Sequence, residues 1–150
     1  MWLRKGPGST LLLPLSWITW LVNWRKRIRY AHKSGLTTHS RHPVVVVGNI
    51  FVGGTGKTPV VIALCKALAE RGWKPGVISR GYGATLGEKP VTGRGILDPD
   101  LVGDEPALIA AETGVPIAVH PKRTLALARL EKEYPDVDII ISDDGLQHLA

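Results

Sequence analysis

The sequence predicts an α/β domain with a mainly parallel sheet and flanking helices, preceded by a membrane-associated helix. Three observations carry this. Val44-Val45-Val46-Val47 is a wholly apolar, β-branched run without alternation, which suits a strand buried on both faces of a parallel sheet. Val137-Asp138-Ile139-Ile140-Ile141-Ser142 is a second run of that kind, and it ends in Asp143 and Asp144. Residues 11–24, rich in Leu and Trp and free of charge, precede both and are followed at once by Arg25-Lys26-Arg27-Ile28-Arg29.

The valine run leads into Gly48-Asn49-Ile50-Phe51-Val52-Gly53-Gly54-Thr55-Gly56-Lys57-Thr58 and then into a helix-forming segment. Strand, glycine-rich turn and helix in that order are the setting of a phosphate-binding loop. Backbone N–H groups of Gly53, Gly54, Thr55 and Gly56, with the positive end of the following helix, would cradle phosphate oxygens. Lys57 would reach the β- and γ-phosphates, and the Thr58 hydroxyl would ligate a bridging Mg²⁺. The domain is therefore expected to be of the P-loop type, holding a nucleoside triphosphate. Phe51 departs from the usual pattern, which has glycine there. Variant loops of another ATPase group carry lysine where this chain has Val52. A turn that merely needs positive φ would not require Lys and Thr to follow.

At 150 residues the chain is about one domain, long enough to bury a core. Its single cysteine, Cys65, excludes a disulfide framework and a cysteine zinc cluster, and points to a reducing compartment. Cys65 shares a helix face with Val61, Leu64 and Leu68, which favours burial over reactivity. The net charge is +6, and it is unevenly spread. Eight cations precede Pro43, whereas the first acidic residue is Glu70. The basic character belongs to an amino-terminal arm.

Trp17, Trp20, Trp24 and Tyr30 suit a membrane interface, and the cations beside them suit an anionic cytoplasmic surface. The apolar stretch is shorter than the roughly 20 residues of a spanning helix, so an interfacial helix and a span both stay open, with Pro14 and the tryptophans favouring the interface. A cleaved signal peptide would need a small-residue site that does not follow, and the leucines argue against a nucleic-acid arm. Residues 1–35 form the expected anchor and 36–150 the expected nucleotide domain. The stretch 32–42, with His32, His39 and His42, reads as a linker.

Along the nucleotide domain, residues 57–71 predict an amphipathic helix stopped by Gly72, with Pro59 in its first turn. Residues 75–79 predict a second strand delivering Arg80-Gly81-Tyr82-Gly83 to the ligand edge, where Arg80 suits phosphate and an ordinary turn fits equally well. Residues 84–101 read as one long loop, a lid or substrate loop. Asp104 starts the next helix, either as its N-cap or as a carboxylate that takes a proton from an attacking hydroxyl. Residues 117–120 predict a third strand and 122–133 a helix, with Arg123 solvated or turned to the ligand edge. Asp143 and Asp144 are the expected acids at the tip of the last strand, holding Mg²⁺ through water.

Four segments together resemble the tetraacyldisaccharide 4′-kinase (lipid A 4′-kinase) family. They are Val47-Gly48-Asn49 leading to Gly53-Gly54-Thr55-Gly56-Lys57-Thr58-Pro59; Ser79-Arg80-Gly81-Tyr82-Gly83; Val102-Gly103-Asp104-Glu105-Pro106; and Ser142-Asp143-Asp144-Gly145-Leu146-Gln147-His148. The resemblance covers nearly the whole chain, and that family's own loop also departs from the strict glycine pattern. It implies transfer of the γ-phosphoryl group of ATP, with Mg²⁺, to the 4′-hydroxyl of a tetraacylated glucosamine disaccharide 1-phosphate at the cytoplasmic face of the inner membrane. It implies Asp104 as catalytic base beside Lys57, and Thr58, Asp143 and Asp144 on the metal side. Adenine rests on the resemblance alone, although no Asn-Lys-x-Asp guanine signature occurs in these residues. Family members are about twice as long, so the chain is expected to be an amino-terminal part. The alternative from the residues themselves is a membrane-bound nucleotide hydrolase or nucleotide-binding module without lipid kinase activity.

Overall fold

The computed structural model describes residues 13–32, 40–48, 56–85 and 87–143. The chain divides into two units, Met1–Thr38 and His39–Ala150.

The first unit contains one described element, helix α1 (Leu13–His32). It runs from the apolar stretch straight into the basic one. Trp17, Trp20, Leu21, Trp24 and Ile28 recur at the three- and four-residue spacing that places them on one helix face, and all five are exposed. The Trp20 and Trp24 rings stack, with centroids 5.9 Å apart and planes within 3°. Among the described residues no helix is long and apolar enough to cross a membrane. The reason is visible in α1, whose second half carries Arg25, Lys26, Arg27 and Arg29.

The second unit holds β1 (Val44–Val47), α2 (Lys57–Glu70), β2 (Pro75–Ser79), β3 (Val91–Gly93), α3 (Pro99–Val102), α4 (Asp104–Thr113), β4 (Ile117–Val119), α5 (Arg123–Glu133) and β5 (Ile139–Asp143). The strands form one sheet in the order β1-β5-β2-β4-β3, in which only the β3–β4 pairing is antiparallel. The expected mainly parallel α/β architecture is thus what forms.

Alternation along the central strands divides the core into two layers. Val77, Ile117, Val119 and Ile141 face Val61 and Cys65 of α2 and Ala107, Ile109 and Ala110 of α4. Their neighbours Ile78, Ala118 and Ile140 face Ala126, Leu127 and Leu130 of α5 on the other side. Each fully buried aliphatic side chain contributes about 1.5–3 kcal/mol. The two layers therefore fix β5, β2 and β4 from both faces. Burial also pushes the Cys65 thiol up to about 11, so at neutral pH it stays protonated and serves as a packing group.

Three expectations need correction here. The four valines are not buried on both faces: Val44, Val45 and Val46 are 41%, 36% and 46% exposed. β1 ends the strand order, and the helices pack inward of it, α2 over β5 and β2 and α5 over β2 and β4. The stretch 84–101 is not one loop, because Val91-Thr92-Gly93 pairs with β4 through Val91↔Val119 and Gly93↔Ile117. Its Asp98 caps α3 by accepting the Asp100 backbone N–H at 3.0 Å, with Pro99 at the first helical position. The N-cap of α4 is Gly103, not Asp104, which is the first helical residue.

Candidate functional site on the carboxyl edge of the sheet

Because β1, β5, β2 and β4 run parallel, the loops that leave Val47, Ser79, Val119 and Asp143 all emerge at one edge. This is where open α/β sheets place their ligands. β5 inserts between β1 and β2, and its register with β1 pairs Val47 with Asp143. The last strand residue before the glycine-rich turn and the acid ending β5 are therefore lateral neighbours.

The glycine-rich segment ends at Gly56. This residue is the N-cap of α2 at φ 71°, ψ 31°, a left-handed conformation that glycine adopts without strain. Lys57 and Thr58 are consequently the first two residues of α2, half-buried, at the positive end of its dipole. Pro59 follows where a helix needs no N–H. Gly53, Gly54, Thr55 and Asp144 lie outside the described residues, as do Gln147 and His148.

Asp143 is 2% exposed at the end of β5. Arg123, the first residue of α5, donates from Nη2 to the Asp143 backbone carbonyl at 2.8 Å. Of the two readings open for Arg123, solvated or turned to the ligand edge, its half-buried setting against the end of β5 excludes the first. The preceding turn is fixed by buried His120. Its Nδ1 lies 3.0 Å from the Lys122 backbone nitrogen and 3.2 Å from the Lys122 carbonyl, and its Nε2 lies 3.2 Å from the Glu88 carbonyl. The sequence offered no signal for this brace, because it joins residues 32 apart in the chain.

Asp104 is exposed at the start of α4. Its position is set by Gly103, which has φ 91° and packs against the backbone of Gly81 and Tyr82. A Cβ on Gly103 would stand 2.8 Å from the Tyr82 carbonyl oxygen. That close approach joins the Arg80-Gly81-Tyr82 loop to the Asp104 helix, with the Tyr82 side chain 91% exposed. Two motifs that the sequence separates by some 20 residues thus share one backbone contact.

Thr58 at the start of α2 and Asp143 at the end of β5 carry side-chain oxygens, the donor type that suits Mg²⁺. Mg²⁺ is usually held by one or two protein oxygens together with phosphate and water, not by a protein cage. Among the described residues there is no cluster of three or more His, Cys, Asp or Glu side chains able to bind a metal on their own.

Fold and site together define a mainly parallel α/β domain with an acid-tipped strand laid beside the strand that enters a glycine-rich turn. Residues 8–150 match the family model LpxK, tetraacyldisaccharide-1-P 4′-kinase, and the chain belongs to that family. A tetraacyldisaccharide 4′-kinase of Bordetella petrii is 58% identical over 99% of this chain and 42% of its own length. One from Polynucleobacter asymbioticus is 52% identical over 98% of this chain and 41% of its own. The chain thus spans under half the length of these curated relatives. A crystal structure of an "apo" form of LpxK from Aquifex aeolicus in complex with ATP superposes with a TM-score of 0.74 at 27% identity, covering 93% of this chain and 44% of that one.

Proposed function

We propose that this chain carries the nucleotide-binding and phosphoryl-transferring part of a tetraacyldisaccharide 4′-kinase. Such an enzyme moves the γ-phosphoryl group of ATP to the 4′-hydroxyl of an acylated glucosamine disaccharide 1-phosphate. The observation that carries the reading is the Val47–Asp143 register, which puts the entrance of the glycine-rich turn beside a buried carboxylate, in a chain of this family.

In this reading the turn 48–56 and the start of α2 hold the triphosphate. Gly53, Gly54, Thr55 and Gly56 offer backbone N–H groups, and Lys57 offers charge where negative charge gathers during transfer. Thr58, Asp143 and Asp144 would hold Mg²⁺, which when bound neutralises phosphate charge and orients the γ-phosphoryl group. Asp104 takes the proton of the 4′-hydroxyl as that oxygen attacks. Its exposure leaves it accessible to a substrate arriving from outside the sheet.

α1 places the enzyme at its lipid substrate. Its tryptophan face and its cations suit a helix lying in the interface of an anionic membrane, which fits the cytoplasmic face of an inner membrane. The reading is tested with the natural full-length protein and ATP, with and without the glycolipid. Nucleotide turnover that requires the glycolipid, with phosphate appearing at its 4′ position, is expected. Equal turnover without lipid would make the protein a hydrolase, and no turnover with retained nucleotide binding would make it a binding module.

A further inference from the structure

We infer that Arg123 is a positioning residue for the metal-side acid Asp143, acting through its backbone carbonyl, an inference that rests on the function proposed above. The register explains why such a group is needed. β5 pairs with β2 as far as Ile78↔Ser142, one residue short of Asp143, whereas on the other side the β1 pairing continues to Val47↔Asp143. The end of β5 is therefore laddered by β1, while on the β2 side the paired residues stop at Ser142.

Arg123 supplies a bond at that end. Its guanidinium crosses from the first turn of α5 and donates to the Asp143 carbonyl at 2.8 Å, a charge-assisted bond in a half-buried setting. A peptide unit is planar, so holding this carbonyl holds the peptide plane that ends β5, and with it the backbone that carries the Asp143 side chain. The end of β5 at Asp143 is then tied to α5. That helix is itself seated by Ala126, Leu127 and Leu130 in the core. The turn before it is braced by His120 through the Lys122 backbone and the Glu88 carbonyl. Arg123 thus transmits the rigidity of the α5 layer to the strand tip. A lysine would keep the charge but lack the planar fork, which is the discriminating chemistry.

The test is Mn²⁺ binding, followed by electron paramagnetic resonance, in the full-length protein with a non-hydrolysable ATP analogue. Arg123→Ala is expected to weaken Mn²⁺ binding about tenfold, with Arg123→Lys in between. Affinity for the analogue without metal should be unchanged, and the melting temperature of Arg123→Lys should stay near that of the wild type. Unchanged Mn²⁺ affinity in Arg123→Ala overturns the inference. So does an equal loss of metal-free analogue affinity, which would make Arg123 a direct nucleotide contact. If Arg123→Ala does not fold, Arg123→Lys decides by the same criterion. A wild-type protein that binds the analogue but no Mn²⁺ overturns the proposed function itself, and this inference with it.

Discussion

Val47 and Asp143 are paired in register across two parallel strands, although nearly a hundred residues separate them in the chain. Neither residue marks the other in the sequence. What brings them together is that β5 returns between β1 and β2, its isoleucines packing α2 and α4 on one face and α5 on the other. The strand that leads to the glycine-rich segment and the strand that ends in Asp143 then finish on the same edge.

Lys57 is the first prediction, because it begins the helix at the end of that segment. Lys57→Ala in the full-length enzyme should lower the transfer rate at least about a hundredfold, as loss of one electrostatic stabiliser does. The core should be unaffected, since Lys57 belongs to neither packed layer. Steady-state transfer to the glycolipid beside a thermal melt would show both. Near-normal turnover would remove the phosphate-loop assignment.

Gly103 is expected to be as intolerant as any residue of the site, for a steric reason. An alanine there must adopt φ near 91° and place its Cβ 2.8 Å from the Tyr82 carbonyl oxygen. Strain of this kind costs about 1–3 kcal/mol even before the loop shifts. Gly103→Ala should lower the melting temperature and the transfer rate together, because the Tyr82 loop and Asp104 move with it. Gly87→Ala, where a Cβ meets nothing within 4 Å, is the control and should be nearly silent. Equal behaviour of the two variants would show that the approach is not tight in solution.

How much of this was legible beforehand differs by layer. The central strands, β2, β4 and β5, and the helices α2, α4 and α5 follow from apolar runs and helical spacing, which are local signals. β3 was missed because three residues between Pro90 and Gly95 carry too little pattern, and only pairing with β4 makes them a strand. The exposure of β1 was missed because a valine run reports hydrophobicity, whereas burial depends on the strand order. Motif spacing places Lys57 and Thr58 at the start of α2 and Asp104 at the start of α4, where the structure has them. The bonds behind Asp143 are not legible there, because Arg123 to Asp143 and His120 to Glu88 are contacts between distant parts of the chain. The N-cap of α4 was misplaced by one residue, since Asp is a common cap and Gly103 is there for its close approach to Tyr82.

The membrane prediction turns on the tryptophan face of α1. Replacing Trp17, Trp20 and Trp24 by Ala should release much of the full-length protein from anionic liposomes in a flotation assay, while α1 keeps its cations. Raising the salt on the wild type should weaken binding less than the triple substitution does, if apolar insertion dominates over surface charge. Unchanged flotation of the triple variant would place the anchoring on another surface.

Cys65 gives a prediction about pH. Its thiol is raised from 9.0 to about 11 by burial, so the folded state holds a proton that the unfolded chain releases earlier. Below about pH 9 both states are protonated and the effect is absent. Between about pH 9 and 11 the unfolded state binds fewer protons, so stability falls as pH rises. Cys65→Ala removes this contribution, and the difference in stability between variant and wild type should shift in the variant's favour across that window. Denaturant melts at pH 8 and pH 10 check it; a difference independent of pH would mean that the thiol titrates normally.

Asp104 is where the structure sharpens the chemistry most. Because Gly103 is the N-cap, Asp104 makes no cap hydrogen bond, and its carboxylate contributes to α4 only through the helix dipole, about 0.3–1 kcal/mol at an exposed site. Asp104→Asn should therefore lower stability by no more than that. As a general base, however, Asp104 has no substitute in the amide, which keeps the shape but cannot take the 4′-hydroxyl proton. The rate should fall by roughly two to four orders of magnitude. Nucleotide affinity should hold, since the triphosphate is assigned to the turn and α2. Single-turnover transfer from ATP to the glycolipid in the full-length enzyme, wild type against Asp104→Asn, separates these effects when each protein is also melted. A variant that melts normally and transfers at the wild-type rate would take the base away from Asp104 and direct the search to Asp143 and Asp144.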